Sequence, residues 1–155
     1  ADGPTSMMFS RQNLPHVARD AATTAAIARG GYVLSEAAGK VEAVLIATGS
    51  EVSLALAAQK SLEAEGITVR VVSMPSTSVF DRQDAAWRET VLPRGVPRVA
   101  VEAGVTDLWR KYVGLEGAVV GLDHFGESAP AGELYKAFGI TADAVAKAAR
   151  QVLGR

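Results

Sequence analysis

Four short apolar runs punctuate the chain: Ala43-Val44-Leu45-Ile46-Ala47, Ile67-Thr68-Val69-Arg70-Val71-Val72, Arg98-Val99-Ala100-Val101-Glu102 and Ala118-Val119-Val120-Gly121-Leu122. They are rich in β-branched residues and show no strict polar alternation, which predicts parallel strands buried on both faces. Stretches of helical period separate them, the layout of a mostly parallel sheet covered on both sides. The first crossover is the clearest. Thr48-Gly49-Ser50 turns the chain, Ser50 is placed to cap a helix, and Glu51 sits where the helix dipole favours an anion. Leu54, Ala55, Ala58 and Leu62 then recur on one face until Gly66 ends the helix. A right-handed crossover is the expected connection.

The second connection, Pro75 to Pro93, carries a helical candidate around Asp84 to Val91, with Trp87 and Val91 on one face. A shorter helix is predicted over Thr106 to Val113. The tail holds another over Glu133 to Phe138, then Gly139, then a capped helix opening at Thr141. Val145, Ala148, Ala149 and Val152 form the buried stripe of that last helix. Asp143 near its start and Arg150 near its end complement its dipole. Gly31-Tyr32-Val33-Leu34 reads as an edge strand whose direction local pattern does not give. The opening fits less tidily: Ser6-Met7-Met8-Phe9-Ser10 reads as a short apolar strand, followed by polar or alanine-rich residues without a firm period. Such a strand needs partners, and the long linker assigns it to a neighbouring sheet. Residues 1–28 are therefore expected to be the end of another domain plus a linker, and 29–155 a single domain. The opening is expected to be mobile or differently packed in the isolated chain.

Composition narrows the classes. At 155 residues and 48% hydrophobic content, the chain suffices for one sizeable core. A net charge of −1 leaves no basic excess for nucleic acid or an acidic membrane. Cysteine is absent, which excludes disulfides and thiolate chemistry and fits a reducing cytosol. The longest apolar run is too short to span a bilayer, and no leader pattern supports secretion. The expectation is a cytoplasmic protein.

Candidate chemistry is sparse. Thr48-Gly49-Ser50-Glu51 joins a strand to a helix N-terminus, where phosphates bind in many α/β folds. Neither a dinucleotide glycine fingerprint nor a phosphate-loop lysine accompanies it, and Glu51 repels anions, so a turn and capping role is favoured. A free-standing nucleotide-binding protein is disfavoured for the same reason. Glu102 ends a predicted strand at the edge where open sheets hold ligands. A base, a partner for a sugar hydroxyl, and a structural contact to a loop or subunit all remain open for it. His16 and His124 lie far apart with no companion at metal-ligand spacing. Ser128 has no nucleophile-elbow setting. Trp87 and Trp109 read as core or interface aromatics. Arg11 directly follows the apolar opening run, where a side chain emerges at a sheet's carboxyl edge. Its guanidinium presents a planar fork matched to phosphate oxygens. Position alone favours a surface ion pair.

Taken together, a series of strings resembles the carboxy-terminal part of a transketolase. They are Ser10-Arg11-Gln12-Asn13-Leu14-Pro15, Arg29-Gly30-Gly31-Tyr32-Val33-Leu34 and Ile46-Ala47-Thr48-Gly49-Ser50-Glu51-Val52. Next come Arg70-Val71-Val72-Ser73-Met74-Pro75-Ser76, Phe80-Asp81-Arg82-Gln83-Asp84-Ala85-Ala86 and Val99-Ala100-Val101-Glu102-Ala103-Gly104. The series closes with Lys111-Tyr112-Val113-Gly114 and Phe125-Gly126-Glu127-Ser128-Ala129-Pro130, in order and almost from end to end.

The resemblance implies a three-layer α/β/α fold with a five-stranded mixed, mostly parallel sheet whose first strand is antiparallel. The opening run would be the last strand of a pyrimidine-binding domain. The parent enzyme would move a two-carbon ketol unit from a ketose phosphate to an aldose phosphate, as a homodimer, using thiamine diphosphate held by Mg or Ca. Of the residues present, the resemblance carries over a substrate role to Arg11 alone, binding the sugar phosphate. It assigns no catalytic, cofactor or metal residue, and none to His124. This chain by itself is expected to be inactive and to bind no cofactor. A dihydroxyacetone synthase or deoxyxylulose-phosphate synthase relative is the nearest rival. A stand-alone assembly module is the rival of another class, with Trp109 or Tyr112 exposed at an interface.

Overall fold

A computed structural model describes residues 3–155; residues 1 and 2 of the opening segment lie outside the described residues. Five strands form one sheet: β1 (Tyr32–Ser35), β2 (Ala43–Ala47), β3 (Val69–Ser73), β4 (Arg98–Val101) and β5 (Ala118–Val120). Their spatial order is β1-β3-β2-β4-β5. The pairs β2–β3, β2–β4 and β4–β5 are parallel, whereas β1 lies antiparallel on the β3 edge. The fold is therefore the expected α/β class with a mixed, mostly parallel five-stranded sheet.

Alternation along each strand feeds two separate cores. Ala43, Leu45, Ala47, Val69, Val71, Val99 and Val101 point to one face. There α2 (Val52–Ala64) and α7 (Ala142–Val152) pack, joined by Tyr135 and Phe138 at and after α6 (Ala131–Ala137). Val44, Ile46, Val72 and Ala100 point to the other face. That side is covered by Phe80 of α3 (Thr77–Asp81), Val91 of α4 (Ala85–Val91), and Trp109, Tyr112 and Val113 of α5 (Asp107–Val113). Both faces of β2 are fully buried, so its unbroken apolar run has a physical cause. Each large side chain there contributes on the order of 1.5–3 kcal/mol by leaving water.

Local signals set most helix ends. Asp84 accepts a hydrogen bond from Trp87 N at 2.7 Å to start α4, and Thr141 accepts one from Ala144 N at 3.1 Å to start α7. Ser50, expected to cap α2, does not. Gly49–Glu51 forms a 3-10 turn ahead of the helix, so Ser50 sits inside helical backbone and its hydroxyl turns to Glu51 instead. Trp109, read as a core or interface aromatic, is buried in the core, and so is Tyr112; the rival assembly-module reading needed one of them exposed, and α5 lays both on the sheet.

The opening run was assigned partners in another sheet, and it pairs with none of the five strands here. Residues 5–10 form no regular element; they border a hollow together with the turns after β2, β3 and β4. Behind them the unpatterned stretch contains a helix, α1 (Ala21–Ile27), capped by Asp20, whose Oδ1 accepts from Thr23 N at 2.7 Å. No residue of α1 is buried, which is why no hydrophobic period announced it. Among the described residues no helix is long and apolar enough to cross a membrane.

Candidate functional site

The parallel strands leave one topological break. The chain steps from β2 to β3 on one side, then returns across to β4 on the other. Consequently the loops after β2 and β4 diverge, the first into α2 on one face, the second into α5 on the opposite face. Ligands of open α/β sheets bind in the crevice such a divergence opens at the strands' carboxyl ends. Here the crevice is lined by Thr48, Gly49, Ser50 and Glu51 after β2, Pro75 and Ser76 after β3, and Glu102 after β4. Residues Thr5 to Ser10 of the opening arm border its remaining side, outlining an open hollow of about 610 Å³.

Two carboxylates reach this edge, and both are engaged by the protein. Glu51 is only 4% exposed. It accepts a hydrogen bond from Ser50 Oγ at 2.6 Å and another from Tyr135 OH, delivered from α6. Burial pushes the Tyr135 phenol above its usual range, and the Glu51 carboxylate reinforces the shift. Tyr135 OH in turn accepts from Gln12 Nε2 at 3.4 Å, so the arm is tied to the domain one residue beyond Arg11. Glu102 accepts from Trp109 Nε1 at 2.5 Å, and this indole is buried under α5. Of the roles open to Glu102, the geometry displays the structural contact to a neighbouring element.

Arg11 lies in a bend of the arm, exposed, and forms no ion pair among the described residues. Position alone had favoured a surface ion pair for it. The histidines stay apart from this edge's carboxylates. His16 borders a second hollow, formed by the arm against Tyr32 and Ser50, while His124 packs edge-on against Phe138 with ring centroids 5.1 Å apart. Sequence reasoning missed Tyr135 and Gln12. Their only signal was tertiary, since Tyr135 stands 84 residues from Glu51.

The junction of arm and domain is tightly built. Arg29 stacks 3.8 Å from the Trp87 ring centroid while its Nε donates to Gln83 Oε1 at 2.9 Å. Trp87 Nε1 donates to Gly31 O at 3.1 Å, and Ser76 N to Gly30 O at 3.0 Å. Among the described residues no three His, Asp or Glu side chains gather as a metal site would require. Glu51 and Glu102 are already engaged by Ser50, Tyr135 and Trp109, and no lysine or arginine lines the hollow at this edge.

A doubly wound α/β domain with one antiparallel edge strand and an amino-terminal arm is the class these features define. The sequence model of the transketolase-like TK C-terminal domain matches residues 30–141, and the chain belongs to that family. Transketolase 1 of Vibrio cholerae serotype O1 is 58% identical over 153 residues, covering 98% of this chain but 23% of that protein. Among solved structures, transketolase from Pichia stipitis in complex with sedoheptulose 7-phosphate superposes with a TM-score of 0.82 at 40% identity. That match covers 93% of this chain and 20% of the other. An inactive β4 tetramer of a split-gene transketolase gives a TM-score of 0.64 at 28% identity, covering 93% of this chain and 48% of its own. The chain thus spans under a quarter of the curated relative and about half of the split-gene chain.

Proposed function

We propose that this chain serves as the carboxy-terminal part of a thiamine-diphosphate-dependent transketolase. That enzyme moves a two-carbon ketol unit from a ketose phosphate to an aldose phosphate, as a cytoplasmic homodimer. The observation that carries the reading is the family match across the domain, joined to an arm that presents Arg11 without a protein counter-ion. A planar guanidinium fork of this kind suits a sugar phosphate. The cofactor and its Mg or Ca ion would be held by segments outside this chain, because the residues here do not fit them. The contribution of 29–155 is then structural: it holds the arm and supports the dimer. The inactive tetramer of the split-gene relative supports the view that this part does not turn over substrate alone.

The test is ketol transfer measured with the purified chain, thiamine diphosphate and Mg, then again after adding a polypeptide that supplies the two missing domains. No turnover is expected in the first mixture and restored turnover in the second. Turnover of the chain alone above a no-protein blank would overturn the reading. In the restored enzyme Arg11→Ala should raise KM for phosphorylated substrates about 10- to 100-fold, the equivalent of about 1.5–3 kcal/mol for a charge-assisted contact. kcat should change little, and an unchanged KM would remove Arg11 from the substrate.

A further inference from the structure

On the face carrying α4 and α5, a cleft of about 360 Å³ opens between these helices, beside the first residue of β4. Its lining carries four cations, Arg88, Arg94, Arg98 and Lys111, against two carboxylates, Asp81 and Glu89. Two positive charges remain uncompensated there, in a chain whose net charge is −1. The balance can be assigned to individual residues. Lys111 Nζ stands 2.6 Å from Asp81 Oδ2, and Arg94 Nε stands 3.0 Å from Glu89 Oε2, so these four neutralise one another in pairs. Arg88 and Arg98 hold the excess.

Arg98 spends its guanidinium on neutral partners. Nη1 donates to Tyr112 O at 2.8 Å, and Nη2 to Leu92 O at 2.9 Å and Pro93 O at 3.0 Å. Its Nε is buried without any partner, the one such side-chain atom among the described residues. A cation half-removed from water with no carboxylate in contact is costly, and burial lowers its pKa from the usual arginine range despite Glu89 nearby. Closed off at Nε, Arg98 acts on the cleft through its field. Arg88 is exposed at the cleft and enters no ion pair among the described residues, so it remains able to touch a ligand. A concavity with low-dielectric walls focuses such a field. At its base the cleft meets the edges of Phe80 and Leu92, which are 2% and 7% exposed, so a short carbon body would find a narrow apolar floor there.

We propose that this cleft binds a small organic phosphomonoester, with the phosphate against Arg88 in the field of Arg98 and the carbon body along Phe80 and Leu92. The charge matches, since a phosphomonoester carries about −1.5 to −2 at neutral pH. The size matches too, because about 360 Å³ lies at the low end of small-molecule sites. The proposal is independent of the ketol-transfer reading and of Arg11.

The experiment titrates the isotopically labelled full chain with glycerol 3-phosphate, inorganic phosphate and glycerol at constant ionic strength, following backbone amides and arginine Nε–H signals by NMR. Saturable shifts at Arg88, Leu92 and Lys111 and at the Arg98 Nε–H are expected with glycerol 3-phosphate. Inorganic phosphate should bind more weakly and glycerol not at all. Arg88→Gln should weaken binding about 10-fold, the equivalent of one charge-assisted contact, while Arg88→Lys should stay within about threefold because the charge is kept. Lys60→Gln on α2 should leave the affinity unchanged. Shifts that grow linearly with added glycerol 3-phosphate without saturating would overturn the site, as would shifts confined to Arg11 and Gln12. Equal affinity for inorganic phosphate would overturn the organic class, and unaltered binding by Arg88→Gln would overturn the assignment of Arg88.

Discussion

Gly30 is the hinge between the arm and the sheet, and replacing it with alanine tests how rigidly that hinge is built. Its φ is +81°, in the left-handed region. A Cβ added there would lie 2.5 Å from Ser76 O, 2.6 Å from Phe80 N and 2.7 Å from Val79 Cβ. Two of these are backbone atoms of the β3–α3 turn and α3, which cannot rotate aside. Left-handed backbone costs an alanine about 1–2 kcal/mol, and overpacking adds about 1–3 kcal/mol. The total is about 2–5 kcal/mol, or roughly 4–20 °C in Tm for a chain of this length. Gly66 supplies the control. Its φ is +78°, yet nothing lies within 4 Å of its added Cβ, so Gly66→Ala should lose only the backbone part, roughly 2–8 °C. Urea and thermal unfolding followed by circular dichroism measure both. Equal losses for the two variants would refute the claim that the close approach of the β3–α3 turn holds the hinge.

Tyr135→Phe removes the phenol that joins Glu51, Ser50 and Gln12; leaving a buried carboxylate short of one donor should cost about 1–3 kcal/mol in urea unfolding. Glu51→Gln in the Tyr135→Phe background should recover part of that loss, and strict additivity would argue against the contact. The Glu36 carboxyl lies below the ordinary glutamate range, chiefly through its hydrogen bond from Arg70. A depressed folded-state pKa gives stability that is full above the unfolded value and lost as pH falls through the folded one. The urea midpoint should therefore hold from neutral pH and drop below about pH 4, less steeply in Glu36→Gln; identical profiles would exclude Glu36. At the alkaline end, burial first and Asp81 second push the Tyr112 phenol up to about 12. The unfolded phenol ionises near 10, so stability should fall as pH rises from about 10 towards 12. An ultraviolet titration in which all three tyrosines ionise together near their ordinary value would contradict this.

What local pattern reveals and what it hides differ by cause. The bounds of β2 were legible because burial on both faces leaves no polar residue from Ala43 to Ala47. The cap at Thr141 was legible because capping chemistry acts within three residues, whereas α4 was placed around Asp84 without its cap being named. The direction of β1 was not, since pairing Tyr32 with Ser73 is a non-local choice, and it came only from the family resemblance. α3 went unseen because five residues burying only Phe80 carry no period. At the site, Glu102 stood out by its place at a strand end, whereas the Glu51–Tyr135–Gln12 chain joins three distant segments. The cationic cleft is similarly distributed: Arg88, Arg98 and Lys111 come from α4, β4 and α5, and no motif marks their meeting.

The arm shows how a strong sequence pattern can go unsatisfied. Met7, Met8 and Phe9 are 72%, 99% and 82% exposed, although their run is as apolar as many strands. Burying each elsewhere would contribute on the order of 1.5–3 kcal/mol. Against that, the side-chain bonds that tether the arm ahead of α1 are few and at best half-buried: Gln12 to Tyr135 OH at 3.4 Å and Arg19 to Tyr32 OH at 3.1 Å. Such bonds are worth about 0.5–1.5 kcal/mol each, with the first at the long limit of its geometry. The apolar run therefore outweighs the tethers, and whatever surface buries Met7 to Phe9 sets the direction of Arg11. On the proposed reading that surface is the rest of the enzyme. The domain fixes where the arm leaves, at Gly30, while on the same reading the orientation of Arg11 is completed from outside this chain.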